Sequence, residues 1–263
     1  MRKSNLNRDN NASMLSAEKA IKLMEDYFSE TIRDKHGRYM SWRYCYKAFS
    51  DNRNIIDEKT IDYLGLHLAF YLASWGMYRG SSFLLQKDYK IHMPIVEIIQ
   101  EEKYNILHGI TAQELCKQEN LDLLQEIASR IKDCYAKEQP SSSKKQNNAT
   151  DTLLTKILLG TLGCVPAYDR YYVESVKANN VSGGSFNSKS VRCIAQFYCK
   201  YQELFEKIRM KFNCCGVEYP QMKLMDMCFW QDGFERETDI LAKAYASFVF
   251  SNSDVSKQDS GIG

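Results

Sequence analysis

Hydrophobic positions recur at helical spacing along most of the chain. Ser16 is placed to cap a first helix that runs to about Ile32, and Asp57 to cap the most apolar helix, 58–77. Further helices are predicted at 95–107, 121–135, 152–162, 190–212, 220–233 and 237–250, with another after Asp169. Because no alternation of polar and apolar residues persists, as it would in strands, the predicted fold class is all-α.

The most informative segment is 151–177, DTLLTKILLGTLGCVPAYDRYYVESVK. Its first part predicts a short buried helix, and Pro166 disfavours helix at Val165, so that 164–168 must run extended. Asp169 then stands at the N-cap of the next helix. The segment therefore predicts a carboxylate at the positive end of a helix.

Two stretches of this segment, the PAYDRYY of 166–172 and the preceding ILLGTLG of 157–163, resemble helix-hairpin-helix DNA glycosylases. In that family a buried helix leads through an extended link into an apolar-Ala-apolar-Asp step, and the Asp is catalytic. The resemblance covers about 25 of the 263 residues. It implies a two-lobed helical fold with Asp169 as the catalytic carboxylate; the alternative is that Asp169 only caps a helix.

The chain departs from the family in two places. The Gly-rich hairpin should precede Thr152, but 140–150 reads PSSSKKQNNAT, so the hairpin would be degenerate. Bifunctional members also carry a nucleophilic Lys about five helical turns before the Asp, and that place falls near Asp151 or Thr152. Lys156 lies one turn further on, and its side chain is expected to point elsewhere round the helix. The resemblance therefore implies a monofunctional enzyme that leaves intact abasic sites.

The polar, Ser/Asn-rich stretch 139–150 is the one convincing linker. We expect an N-terminal helical lobe at 1–138, this linker, a C-terminal lobe at 151–250 that contains PAYDRYY, and a disordered tail at 251–263.

A loop rich in glycine, hydroxyl and aromatic residues, 74–82, follows the most apolar helix. In the family it resembles, a polar loop at a similar place lines the base pocket. We therefore predict substrate contacts from Trp75, Tyr78, Arg79 and Tyr168. The other interpretation is an ordinary helix corner with Trp75 in the core.

Several cations are candidate DNA contacts, because Arg and Lys bind phosphate. They lie in an Arg- and aromatic-rich stretch after the first helix, in the linker and along the most basic helix: Arg43, Lys144, Lys145, Lys200 and Lys207. A solvated linker and a solvated helix face are the alternatives, and Trp42 beside Arg43 is expected in the core.

A net charge of +2 and a pI near 8.0 neither require nucleic-acid binding nor exclude it. Nine cysteines without a C-x-x-C pair or an even-numbered framework suit a reducing cytosol and do not reproduce an iron–sulfur pattern. Residues 1–12 are polar, unlike a signal peptide, and the apolar run in 58–77 is too short for a bilayer. We expect a cytoplasmic monomer with no cofactor and no metal, since none of the four histidines has metal-binding spacing.

The sequence thus predicts a monofunctional DNA glycosylase, which hydrolyses the N-glycosidic bond of a flipped base. A damaged base and a modified viral base both fit, and a role in defence against phage follows only from the resemblance. The rival prediction is a non-enzymatic helical module that binds nucleic acid or protein.

Overall fold

The computed structural model describes residues 15–80, 82–137, 149–213 and 216–258, with side chains up to 245. Within these ranges the regular structure is helical and no strand occurs, which confirms the all-α class. Three short 3-10 helices span Phe83–Gln86, Tyr89–His92 and Glu102–Leu107. The α-helices are α1 (Ala17–Arg33), α2 (Met40–Asp51), α3 (Glu58–Ser74), α4 (Met93–Ile99), α5 (Ala112–Leu115), α6 (Gln118–Lys137), α7 (Asp151–Thr161), α8 (Arg170–Ala178), α9 (Ser188–Lys200), α10 (Gln202–Phe212) and α11 (Gln221–Gln258).

Side-chain caps fix where several helices begin. Ser16, Asp57, Thr150, Asp169 and Asn187 each accept a hydrogen bond from the backbone N–H three residues later. Each cap satisfies one of the N–H groups that the first turn of a helix leaves without an acceptor. The caps predicted at Ser16, Asp57 and Asp169 are confirmed.

The single helix predicted over 190–212 is wrong, because the chain breaks into α9 and α10 at Tyr201. Tyr201 has φ −118° and ψ 22°, outside the helical range. Its ring packs against Phe197 and Phe205 with centroids 5.3 and 5.7 Å away. These contacts with the core accompany the local turn.

The predicted helix end near Gly233 is also wrong, since α11 continues through it to Gln258 and into the segment predicted as a tail. Gly233 serves packing instead. A Cβ at this position would lie 2.1 Å from the carbonyl oxygen of Tyr171, so the glycine lets α11 approach the backbone of α8.

One continuous apolar core joins helices from both predicted lobes. Helix α7 is buried along most of its length and packs on α2 and α3, while α11 packs along α1 and α8. Gly160 permits the close approach of α7, because a Cβ there would lie 2.4 Å from the Tyr71 ring. This arrangement brings α7, α8 and α11 together around their charged residues.

Helix α3, the most apolar helix of the sequence, is buried on one face only and exposes Tyr63, Leu66 and Phe70. Within the described ranges no helix is both long and apolar enough to cross a membrane. Of the predicted linker, 139–148 lies outside the described residues, and so do Lys144 and Lys145.

Candidate active site

Four charged side chains meet in the interior where α7, α8 and α11 converge. They form two ion pairs: Lys156 Nζ lies 3.4 Å from Asp169 Oδ2, and Lys223 Nζ lies 2.7 Å from Asp226 Oδ2. Their side chains are only 5, 15, 3 and 6% exposed in that order. Charged groups are seldom buried so deeply unless each is paired.

The backbone that presents Asp169 is held from both sides. Thr155 Oγ1 accepts a 2.8 Å hydrogen bond from the Tyr168 N–H, and Asp226 Oδ1 accepts one of 2.9 Å from the Ala167 N–H. Asp169 itself accepts from the N–H of Tyr172 as the N-cap of α8. The carboxylate is therefore fixed in place before any ligand binds.

Lys156 does not point elsewhere round its helix, so that prediction is wrong. Its ammonium group lies beside Asp169, donates to the Trp75 carbonyl oxygen at 3.3 Å and lies 5.3 Å from the Trp75 ring centroid. Helix α7 offers no solvent-exposed face at this position, because residues 153–155 and 157–161 are buried as well. The amine therefore pairs with the carboxylate of Asp169.

Burial sets the proton affinities of this pair. It lowers the pKa of Lys156, against the raising effect of Asp169 and Asp226. Burial also raises the pKa of Asp169, against the lowering effect of Lys156. Burial thus disfavours the charged form of each group, and the opposite charge of its partner favours it. The charge on each group therefore depends on its partner.

The second pair is more fully enclosed. Lys223 Nζ also donates to the Tyr27 hydroxyl at 3.2 Å and lies 4.8 and 5.0 Å from the ring centroids of Tyr27 and Trp42. Both of its residues stand one turn apart on α11, a spacing at which side chains on a helix can meet.

A small cleft runs beside the two pairs. Its volume is about 10 Å³, close to the space that one water molecule needs. Trp75 also carries a buried Nε1 that has no acceptor among the described residues. The cleft is walled by Trp42, Tyr71, Trp75, Leu159, Ala167 and Trp230. The structure thus places Asp169 and Trp75 beside the same cleft.

The other predicted substrate contacts do not line this cleft. Tyr78 donates or accepts a 2.6 Å hydrogen bond with His92 Nε2, and the Tyr168 hydroxyl lies 3.0 Å from Ser190 Oγ. Both side chains therefore pack into neighbouring parts of the core. Arg79 is exposed, with its guanidinium folded back over Gly76.

Of the predicted DNA contacts that the structure describes, one is buried and two are exposed. Arg43 is only 4% exposed, and one of its guanidinium nitrogens lies 3.8 Å from Met40 Sδ, so it is not a surface cation. Trp42 is buried as expected and donates to the Leu159 carbonyl oxygen at 3.0 Å. Lys200 and Lys207 are exposed on α9 and α10.

Sequence reasoning missed most of the residues around the pairs. One usable signal was that Lys156 is the lone charge within the apolar run LLTKILLG, and Lys223 and Asp226 interrupt a similar run on α11. A charge inside such a run must find a buried partner. Comparison with known proteins adds nothing to this geometry: no family model, no curated protein and no solved structure matches the chain.

Proposed function

We propose that the chain is a DNA glycosylase, with Asp169 as the carboxylate that acts on the sugar of a flipped nucleotide. The observation that carries the proposal is the buried Lys156–Asp169 pair beside a cleft walled by indole rings. Aromatic rings stack on bases that have left the duplex. Cleavage of the glycosidic bond then requires a fixed carboxylate close to the sugar of that base.

The reaction breaks the bond between sugar C1′ and the base nitrogen, and the bonding electrons leave with the base. Positive charge develops on the sugar, where the ionised Asp169 stabilises it. The same carboxylate takes a proton from the attacking water, whose oxygen forms the new bond to C1′. Its hydrogen bond from the Tyr172 N–H holds it in position.

A second candidate is a glycosylase with lyase activity, which the position of Lys156 favours. In its neutral form the amine can attack C1′ and displace the base, which leaves with the bonding electrons, while the ionised Asp169 takes the proton that the newly bonded nitrogen releases. Ring opening then gives a Schiff base between the protein and the sugar. The hydrolytic reaction predicted from sequence and this lyase reaction differ in their products, so experiment separates them.

The test is single-turnover base release from a panel of duplexes, each with one damaged or modified base. Asp169→Asn keeps a side chain that caps helices well, and we expect release to fall by at least about 100-fold with folding and DNA binding intact. Asp151→Asn is the matched control, an exposed aspartate at the start of α7. Full activity of Asp169→Asn would overturn the proposal. DNA binding without base release by the intact protein would favour the rival binding module.

A further inference from the structure

Three aromatic rings form a corner next to the Lys156–Asp169 pair. Tyr39, Trp75 and Trp230 are mutually perpendicular, with interplanar angles of 90, 90 and 88° and centroid separations of 5.6, 6.1 and 5.9 Å. Trp75 and Trp230 also line the cleft beside the pair. The corner therefore places aromatic ring faces next to the Lys156–Asp169 pair.

This corner is already occupied by a cation of the same chain. The Arg38 guanidinium carbon lies 5.0 Å from the Trp75 centroid, 5.5 Å from that of Tyr39 and 6.0 Å from that of Trp230. Within the described part of the chain, no carboxylate forms an ion pair with this guanidinium. Among the described residues its side-chain contacts are with these ring faces, and such contacts are weak at an exposed position.

The backbone of Arg38 is anchored by hydrogen bonds to the start of α2. Its carbonyl oxygen accepts hydrogen bonds from Ser41 N–H at 3.1 Å and Ser41 Oγ at 2.7 Å, at the start of α2. The residue itself is exposed in the turn between α1 and α2. The guanidinium can thus leave the rings while the chain beneath it stays in place.

A base and a guanidinium compete for the same kind of surface, since both stack on aromatic faces. Phosphate is the better partner for the guanidinium, because it accepts two parallel hydrogen bonds. With the corner covered, the cleft beneath has room for about one water molecule. Entry of a nucleotide therefore requires the wall to open.

We propose that Arg38 is a displaceable cover of this corner: on DNA binding its guanidinium moves to a backbone phosphate, and an unpaired base takes its place against the rings. This inference rests on the proposed function for its partner. It assigns to one residue both the opening of the site and a phosphate contact.

The cover is tested first without DNA, by acrylamide quenching of tryptophan fluorescence. Arg38→Ala should increase quenching, since Trp75 and Trp230 lose the group that shields them. Arg33→Ala is the control, because that exposed arginine pairs with Glu30 instead of lying over the rings. Equal quenching in Arg38→Ala and wild type would overturn the proposal that Arg38 covers the corner.

The exchange is tested with a duplex that carries a one-nucleotide bulge and with its fully paired counterpart. We expect the bulged duplex to reduce quenching in the wild type more than the paired duplex does. We also expect Arg38→Ala to lower the slope of log affinity against log salt by about 0.9, the loss of one phosphate contact. Arg33→Ala should keep the wild-type slope.

An unchanged slope in Arg38→Ala, with the wild type still binding DNA, would overturn the exchange and leave the proposed function standing. If the wild type binds neither duplex, the proposed function fails and the exchange with it. Base release that requires Asp169 but is indifferent to Arg38 would likewise remove Arg38 from the mechanism.

Discussion

Asp226 Oδ1 accepts a 2.9 Å hydrogen bond from the backbone N–H of Ala167, two residues before Asp169. Its other carboxylate oxygen lies 2.7 Å from Lys223 Nζ. One buried side chain on α11 thus both neutralises a buried lysine and holds the extended segment that presents Asp169. The two tasks can be separated by substitution.

Asp226→Ala removes both contacts and leaves the ammonium of Lys223 buried without its carboxylate. We expect the free energy of unfolding to fall by about 3–5 kcal/mol in denaturant titrations. Asp226→Asn keeps an acceptor for the Ala167 N–H, so its free energy of unfolding should fall less. The double change Lys223→Met, Asp226→Leu removes both charges together and should recover most of the loss. A double variant no more stable than Asp226→Ala would contradict this account.

The contact between Gly233 and Tyr171 predicts a second loss of stability. Gly233→Ala places a Cβ 2.1 Å from the Tyr171 carbonyl oxygen, so α8 and α11 must separate. Overpacking of this kind costs about 1–3 kcal/mol, measured as a lower midpoint in thermal or chemical unfolding. Gly183→Ala is the matched control, since a Cβ there meets nothing within 4 Å. Equal stability of the two variants would show that α11 shifts without penalty.

The sequence predicted those features that depend on a few neighbouring residues. Helix caps at Ser16, Asp57 and Asp169 are of this kind, since the side chain and the N–H that it binds are only three residues apart. Pro166 likewise marked the extended link before Asp169. Such signals need no knowledge of the tertiary fold.

Features set by distant contacts were missed. Gly233 reads as a helix end, yet α11 continues because the space of the absent Cβ is filled by Tyr171 from another helix. The direction of Lys156 depends on where Asp169 and Trp75 lie after α3, α7 and α8 have packed. Nor does any local pattern bring Arg38 to the rings of Trp75 and Trp230.

The buried histidine His92 predicts a pH dependence of stability. Its two ring nitrogens lie 2.6 Å from the hydroxyls of Tyr78 and Tyr135, and burial lowers its pKa to about 3. In the unfolded chain a histidine binds a proton near pH 6.5. The unfolded state therefore binds more protons between these values. The contribution of His92 to the free energy of unfolding should therefore be fully present above about pH 6.5. It should fall toward pH 3 by at most about 1.4 kcal/mol per pH unit.

His92→Gln tests this assignment, because glutamine forms hydrogen bonds but does not titrate. Its unfolding free energy, followed from pH 7 to 4, should fall less steeply than that of wild type. His36→Gln alters an exposed histidine and should retain the wild-type slope. His108 is also buried, and its pKa is lowered to about 4, so the unfolding free energy of every variant should still depend on pH. A wild-type slope in His92→Gln would contradict the prediction.

Exposed cations near and beyond the site predict how DNA affinity responds to salt. Arg79, Lys200 and Lys207 are exposed, and we expect their joint replacement by alanine to weaken binding and flatten its salt dependence. Each lost phosphate contact should reduce the slope by about 0.9. Arg43→Lys, at a buried position, serves as the control and should keep the slope. An unchanged slope in the triple variant would mean that these cations only face solvent.

The final prediction concerns the product of the reaction. If Lys156 attacks the sugar, borohydride reduces the resulting Schiff base to a stable amine and links the protein covalently to DNA. Lys156→Gln should abolish this link, whereas Lys177→Gln, an exposed lysine of α8, should preserve it. Circular dichroism checks that each variant is folded. Base release without any link, giving intact abasic sites that break only on heating or in alkali, would instead establish the hydrolytic reaction predicted from sequence. A link that survives in Lys156→Gln would direct attention to Lys144 and Lys145.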